Sequence, residues 1–271
     1  MKYDVTVGIV NYNDYPRTHE AIRSLLEYTQ GVKYKIYVID NASRDGSAER
    51  LANEFPQISV IFCDRNMGYG KANNLVIPHI DSAYHLVMNP DVVIRSDVLK
   101  QLFDFMQSHP DVGLCTPATC YLNGNPQPLP KRNPKLRYVI ANRIPIPHYE
   151  EYRREYRMLD EDLSGVTDIE FVTGCFMFLR TALFKEQGGF DTRYFMYFED
   201  ADLTREIAKR ARVVYVPEAE ILHGYQRRSA KRLRYFVIHS VSMLKYFFKW
   251  RRQARQGAAE AGDATGSAAD S

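Results

Sequence analysis

Nowhere in the 271 residues does an apolar run approach the roughly 20 residues that a membrane span requires. No membrane-crossing helix is therefore expected. The four cysteines, Cys63, Cys115, Cys120 and Cys175, show no Cys-x-x-Cys spacing. Neither a zinc site nor a disulfide framework is indicated, and reduced, buried thiols are the expectation. The start, Met1-Lys2-Tyr3-Asp4, lacks a signal-peptide pattern, which points to a cytoplasmic location. Two nucleotide-binding signatures are also missing. The pair Gly68-x-Gly70 has no third glycine and follows the third apolar run rather than the first, unlike the dinucleotide fingerprint of NAD-dependent dehydrogenases. After the first run stands Asn11-Tyr12-Asn13, where a sugar-phosphate nucleotidyltransferase would carry a basic, Gly-rich loop.

What is present is an ordinary globular composition, 45% hydrophobic and 25% charged, with a hidden asymmetry. The formal charge of +3 combines a mildly acidic body, 26 Lys/Arg against 30 Asp/Glu up to Gly224, with a segment from Arg227 to Arg255 that has ten Lys/Arg and no acid.

Apolar patterning alternates between two periods. Strands are expected at 5–10, 35–39, 58–62 and 84–88, and helices at 17–28, 45–55 and 71–80. Strands apolar on both faces and separated by helices indicate an α/β fold with a mostly parallel central sheet covered on both sides. From Asn123 to Pro147, six prolines and several basic residues predict a long loop or lid. Strand character resumes over 168–179 and 211–216, a helix is expected at 201–211, and another at 231–252. The stretch 257–271, rich in Ala, Gly and Ser, reads as a disordered tail.

Ligands of such sheets bind at the carboxyl ends of the strands, and there the polar residues gather. Asn11-Tyr12-Asn13, Asp40-Asn41-Ala42-Ser43, Asp64-Arg65-Asn66 and Asn89-Pro90-Asp91 each follow one of the first four strands. Singly, each passes for a turn or helix cap; four in register converge on one edge. A strand-end Asp can accept the imide N–H of a pyrimidine, and Tyr12 can cover the base. The glycines of Asn66-Met67-Gly68-Tyr69-Gly70 precede a helix, where backbone N–H groups could meet a donor's phosphates. Asp91 can hold a divalent cation completed by diphosphate oxygens, with His223 as a second protein ligand, and Arg227-Arg228 suits a diphosphate. Glu199-Asp200-Ala201-Asp202, behind the aromatic run 194–198, offers a general base with a raised pKa; its plain reading is an acidic first helical turn.

In this order the motifs resemble family 2 glycosyltransferases of the GT-A fold, over roughly residues 4–230. Asn66-x-Gly68-x-Gly70-x-x-Asn73 and Thr173-Gly174-Cys175 belong to the same resemblance. It implies inverting transfer of a sugar from a nucleotide-diphosphate donor, with Asp200 as base and Asp91 and His223 holding Mg²⁺ or Mn²⁺. Glu199, Asp202, Gly174 and Cys175 would orient the acceptor or the site. Asp40 would recognise the base, and Val10, Asn11, Tyr12, Asn41, Ser43, Asn66, Gly68, Gly70, Asn73, Asn89, Arg227 and Arg228 would complete the donor site. The family's metal motif is often Asp-x-Asp, and here its first position is Asn89. That variant resembles a rhamnosyltransferase-like branch using dTDP-L-rhamnose, and it leaves metal affinity mainly to Asp91.

The implied division is a GT-A domain at 1–230, with a nucleotide-sugar half at 1–122 and an acceptor and catalytic half at 123–230, a basic amphipathic helix at 231–256 and the tail. Along that helix Leu233, Phe236, Val237, Ser240, Val241, Leu244, Phe247 and Phe248 share one face. Two uses fit: packing of that face on the body, or a helix lying on an anionic membrane, peripheral on its inner face and close to a lipid-linked acceptor. The basic stretch matches no nucleic-acid module. The competing functions are a UDP-sugar-dependent transferase and a non-catalytic sugar-nucleotide or glycan-binding module, which would need no base.

Overall fold

The computed structural model describes residues 1–142, 144, 146–224 and 233–266, the last nine as backbone only. In chain order the elements are β1 (Tyr3–Asn11), α1 (Tyr15–Tyr28), β2 (Tyr34–Asp40), α2 (Ser47–Glu54), β3 (Ser59–Phe62), α3 (Tyr69–Asn73) with a 3-10 turn (Asn74–His79), and β4 (Ser82–Met88). There follow β5 (Val92–Ile94), α4 (Val98–Ser108), β6 (Val112–Tyr121), α5 (Leu136–Ala141), α6 (Tyr149–Tyr156), β7 (Thr167–Asp168) and β8 (Phe176–Arg180). The chain closes with α7 (Thr181–Glu186), α8 (Glu199–Ile207), β9 (Arg212–His223) and α9 (Leu233–Gly266).

The strands form one sheet in the order β3-β2-β1-β4-β8-β6-β9-β5, with β7 on β9. Pairings among β3, β2, β1 and β4 are parallel, whereas β8 runs antiparallel to β4 and to β6. The chain leaves β1 for β2 on one side and returns to β4 on the other. The switch point, where an open α/β sheet forms its crevice, therefore lies beside Asn11 and Met88.

Side-chain alternation decides which helices cover which face. Val5, Val7 and Ile9 of β1 join Ile22 and Leu25 of α1 and Leu99, Leu102 and Met106 of α4 in one core. Val10, Ile39, Val87 and Met177 point the other way, to Phe184, Phe190, Leu203 and Ile207. A third cluster, Phe171, Tyr194, Phe198, Tyr246 and Trp250, lies between α8 and α9.

The first four strands and first two helices match the sequence periods to within a few residues. The expected helix at 71–80 is instead one turn of α-helix and a 3-10 turn holding Pro78, which cannot donate the backbone hydrogen bond a continuing helix needs. Within the Pro-rich stretch 123–147, α5 forms between the prolines. α9 continues to Gly266, so the segment expected to be a tail from 257 is helical that far, as its alanines favour. Residues 267–271, Arg227, Arg228, Lys231 and Pro145 lie outside the described residues.

Candidate active site

At the switch point a cleft of about 300 Å³ opens between the ends of β1 and β4 and the start of α9. Val10, Tyr12, Asn41, Asn66, Gly68, Asn89 and Asp91 line it, all anticipated from the sequence. Tyr197 of the expected aromatic run lines it too, as do Asp14, Arg17, Arg234 and Tyr235, which were not anticipated. A second hollow beside it is bounded by Asp40, Ser43, Arg44, Asp64 and Arg65. Tyr12 and Asn66 belong to both. Tyr12 is 46% exposed, an aromatic plate between the two.

Beneath the cleft the polar residues are spent on building it. Asn11 is fully buried: its amide donates to Asp40 Oδ1 at 2.9 Å and Ser47 Oγ at 2.7 Å, and its carbonyl accepts from Thr18 Oγ1 at 2.8 Å. It shapes the site and does not reach into the cleft. Asp40 takes a second hydrogen bond from the Ser43 backbone N–H at 2.9 Å. Asn41 spans the gap to the next loop by accepting from Met67 N and donating to the Gly68 carbonyl.

The glycine pair has a different reason from the expected phosphate contact. A Cβ on Gly68, whose φ is +86°, would stand 2.0 Å from the Phe195 carbonyl oxygen, and one on Gly70 would meet Phe190 Cβ at 2.8 Å. The Tyr69 N–H donates to that same Phe195 carbonyl at 2.9 Å. Both glycines admit the 190–195 segment, and the amide between them is taken. Asn73, fully buried, donates to the Tyr69 carbonyl and is likewise internal.

Asp91 and His223 are brought together by strand pairing. β5 runs antiparallel to β9 with Val92 opposite His223, and Gly224 N donates to the Asp91 carbonyl at 2.8 Å. His223 Nε2 then stands 3.4 Å from Asp91 Oδ1, and its Nδ1 lies 3.1 Å from Gln127 Oε1. With Nδ1–H donating to Gln127, Nε2 presents a lone pair toward a carboxylate oxygen. Two facing acceptors suit a cation held between them, and a second-layer carbonyl fixing the imidazole tautomer is the usual companion of a metal-bound histidine. Among the described residues no third His, Cys, Asp or Glu joins them. A cation here would draw its remaining ligands from diphosphate oxygens and water.

The acidic cluster is dealt out to three different jobs. Two consecutive residues with positive φ, Tyr197 at +72° and Phe198 at +70°, turn the chain into α8. Such a backbone costs on the order of 1–3 kcal/mol per residue and persists only where packing imposes it; Phe198 is held against Tyr246 and Phe247. Asp200 Oδ2 accepts from Gly174 N at 2.9 Å, and Oδ1 from Ala201 N at 2.9 Å. Burial raises its pKa, opposed by the Gly174 amide and by the charge of Lys131. Beside it Glu199 is buried, its Oε2 without a hydrogen-bond partner, and burial together with Asp200 pushes its pKa far up. Both carboxyls are thus pushed up, Glu199 the further, while the Gly174 and Ala201 amides and Lys131 favour the ionised form of Asp200 alone. Asp202 does not face them. Two positions on along a helix it points elsewhere, accepting from Lys249 Nζ at 2.6 Å and Trp250 Nε1 at 2.9 Å. The expected site-orienting role of Asp202 gives way to fastening α9.

Gly174 and Cys175 act through their backbone. Gly174 N holds Asp200, Gly174 O accepts from the Tyr69 hydroxyl at 2.6 Å, and Cys175 O accepts from Asn89 N at 2.8 Å. The Cys175 thiol, pushed up to about 12 by burial, is inert. One dipeptide thus carries both the strand end bearing Asp91 and the carboxylate of Asp200. Lys131 was missed in the sequence: its backbone bridges to Phe171, and its ammonium lies 5.1 Å from the Phe171 ring centre and 5.8 Å from that of Tyr156. Only folding of the Pro-rich segment carries that charge toward Asp200. Arg17 is more legible, standing one turn into α1 directly after the Asn11-Tyr12-Asn13 loop and pairing with Asp14 at 2.7 Å.

The chain is similar to known proteins in sequence and in fold. Residues 6–188 match the glycosyl transferase family 2 model. The N-acetylglucosaminyl-diphospho-decaprenol L-rhamnosyltransferase of Mycobacterium tuberculosis is 28% identical over 236 residues, 80% of this chain and 75% of that protein. The Escherichia coli rhamnosyltransferase WbbL is 24% identical over 164 residues, 58% of this chain and 60% of that one. The mannosyltransferase PcManGT of Pyrobaculum calidifontis, solved with GDP-Man and Mn²⁺, superposes with a TM-score of 0.61 at 16% identity, covering 93% of this chain and 65% of its own. The fold is GT-A, and the chain belongs to glycosyl transferase family 2, with rhamnosyltransferases among its relatives.

Proposed function

We propose that the chain is an inverting, divalent-metal-assisted rhamnosyltransferase. It transfers L-rhamnose from dTDP-L-rhamnose to a glycan or lipid-linked saccharide during cell-surface polysaccharide synthesis, on the cytoplasmic side of the membrane. The observation that carries the reading is the Gly174-Cys175 dipeptide, which fastens a partly desolvated carboxylate, Asp200, to the same backbone as the strand end bearing Asp91.

In this reading Tyr12 covers the pyrimidine between the two hollows, and Asp40 with Ser43 shapes the pocket that holds it. Asp91 and His223 would hold Mg²⁺ or Mn²⁺, which when bound supplies positive charge to the departing diphosphate. Arg17 and Arg234, both lining the cleft, add their own charges to that diphosphate. Asp200 takes the proton of the acceptor hydroxyl as that oxygen bonds to the anomeric carbon. The bond from that carbon to the diphosphate oxygen breaks on the opposite face, and the nucleoside diphosphate leaves with the electron pair. Glu199, kept neutral, withholds a second negative charge that would favour protonation of Asp200, so that Asp200 stays ionised and able to accept the proton.

The test is donor binding and turnover over a panel of nucleotide sugars with Mg²⁺, Mn²⁺ or EDTA, comparing wild type with D91A and D200N. Metal-dependent preference for dTDP-rhamnose, lost in D91A, is the expected result. Preference for a UDP-sugar would keep the transferase and sink the rhamnosyl donor. Donor binding with no transfer in either wild type or D200N would favour a binding module.

A further inference from the structure

α9 is apolar on more than the side that it buries. A helix on a globular body ordinarily buries its apolar stripe and offers charge to water. Here the side turned to the body sets polar groups among Met243, Tyr246, Phe247 and Trp250, and a second apolar stripe is left outside. Ser242 Oγ donates to the Met196 carbonyl, Lys249 reaches Asp202 at 2.6 Å and Glu206 at 3.0 Å, and Tyr246 and Trp250 are buried. The opposite side presents Leu233, Val237, Val241, Leu244 and Phe248, which are 79, 52, 44, 66 and 73% exposed. At about 100° per residue these five fall within a sector of about 80°, over a length of about 22 Å.

The charges around the stripe have one sign. Arg234 and Lys245 flank it, Arg251, Arg252 and Arg255 extend it, all are exposed, and no Asp or Glu occurs between Leu233 and Arg255. A second copy docked on this face would set one all-cationic rim against another. A leaflet of anionic headgroups over acyl chains complements both the rim and the stripe. The inner edge of the same helix, Arg234, Tyr235 and Ile238, is a wall of the donor cleft.

We propose that α9 is an interfacial helix whose Leu233–Phe248 stripe beds into an anionic lipid leaflet, bringing the mouth of the cleft to the bilayer surface. The inference rests on the transferase reading only for its purpose, a lipid-linked acceptor; the binding itself needs neither donor nor acceptor.

The experiment is sedimentation of the full chain with vesicles of phosphatidylcholine alone or mixed with phosphatidylglycerol, for wild type, L244E/F248E and R251E/R255E. Wild type should pellet with the anionic vesicles and be released by salt. L244E/F248E should lose about tenfold or more in vesicle affinity, and R251E/R255E should lose the dependence on phosphatidylglycerol. Emission of the single tryptophan, Trp250, should be unchanged in both variants, showing that α9 remains seated. Equal binding by L244E/F248E, or no pelleting of wild type, would overturn the proposal. A concentration-dependent dimer that L244E/F248E breaks would make the face a subunit contact instead. Transfer to a short-chain, water-soluble acceptor separates the two readings: vesicle binding without any transfer refutes the function and leaves the helix, whereas transfer without vesicle binding does the opposite.

Discussion

His223 Nε2 faces Asp91 Oδ1 across 3.4 Å, with Gln127 behind the imidazole at Nδ1. Sheet register alone sets this relationship, since His223 is paired both to Val92 of β5 and to Tyr121 of β6. Q127L removes the carbonyl beside Nδ1 while leaving both proposed ligands, Asp91 and His223, in place. It should weaken Mn²⁺ binding by about 10- to 100-fold, measured by isothermal titration in the presence of nucleoside diphosphate. Unchanged affinity would detach Gln127 from the metal site.

D200N keeps the shape and an acceptor for Gly174 N but cannot take a proton. Its kcat should fall by about 10²- to 10⁴-fold with donor affinity within a few-fold of wild type, read by single-turnover kinetics beside equilibrium binding.

The acid limb of kcat/KM reports the base. Burial raises the Asp200 pKa, so activity should fall, as pH drops, at a value above the ordinary carboxylate range. Lys131 counteracts that rise by favouring the ionised form. K131M removes the opposing charge, and the limb should move to still higher pH. K131R should leave it close to wild type. An unmoved limb in K131M would mean that the ammonium is not felt at the base.

Lys249 lies among Asp202, Glu206 and Asp191, at 2.6, 3.0 and 3.4 Å. K249M leaves buried carboxylates uncompensated, a loss of about 3–5 kcal/mol. Denaturant unfolding followed by Trp250 emission should show the lowered midpoint, with red-shifted emission in the native baseline if α9 lifts from its seat.

G68A places a methyl group 2.0 Å from the Phe195 carbonyl on a backbone at φ +86°. The 190–198 segment must move, and with it Tyr197 and the entry to α8. G68A should therefore lose both thermal stability and turnover, whereas alanine at Gly124, with no atom near its Cβ, should spare turnover even at its similar φ of +83°.

The strand ends and the order of motifs were legible in the sequence because parallel strands buried on both faces leave a near-continuous apolar signal, and the polar residue after each one stands out. That pattern placed Tyr12, Asn41, Asn66 and Asp91 at the cleft. It could not separate residues that touch a ligand from residues that hold the site together, since Asn11 and Tyr12 are neighbours with the same motif value and opposite burial. Nor could it split Glu199-Asp200-Ala201-Asp202, where helical geometry sends Asp200 to Gly174 and Asp202 to α9. Lys131 and Gln127 were invisible because both lie in a Pro-rich stretch of weak periodicity and reach the site only by tertiary folding. The amphipathic stripe of α9 was legible as a stripe, except that Phe247, read onto it, packs against Phe198 on the body. Its direction was not readable, because α9 seats on the body through Met243, Tyr246, Phe247 and Trp250 together with Lys249, which leaves the aliphatic stripe outside.

The seat of α9 also bears on where this protein can be cut. A chain shortened at residue 230 would look like a complete catalytic unit by motif content. It would nonetheless leave Asp202 and Glu206 buried without Lys249, and Tyr194, Phe198 and Ala201 without Tyr246 and Trp250. The turn that carries Asp200 would lose the packing that imposes its left-handed approach. Recombinant work on the transferase therefore calls for boundaries beyond Gln253, the last residue whose side chain is seen to grip α8.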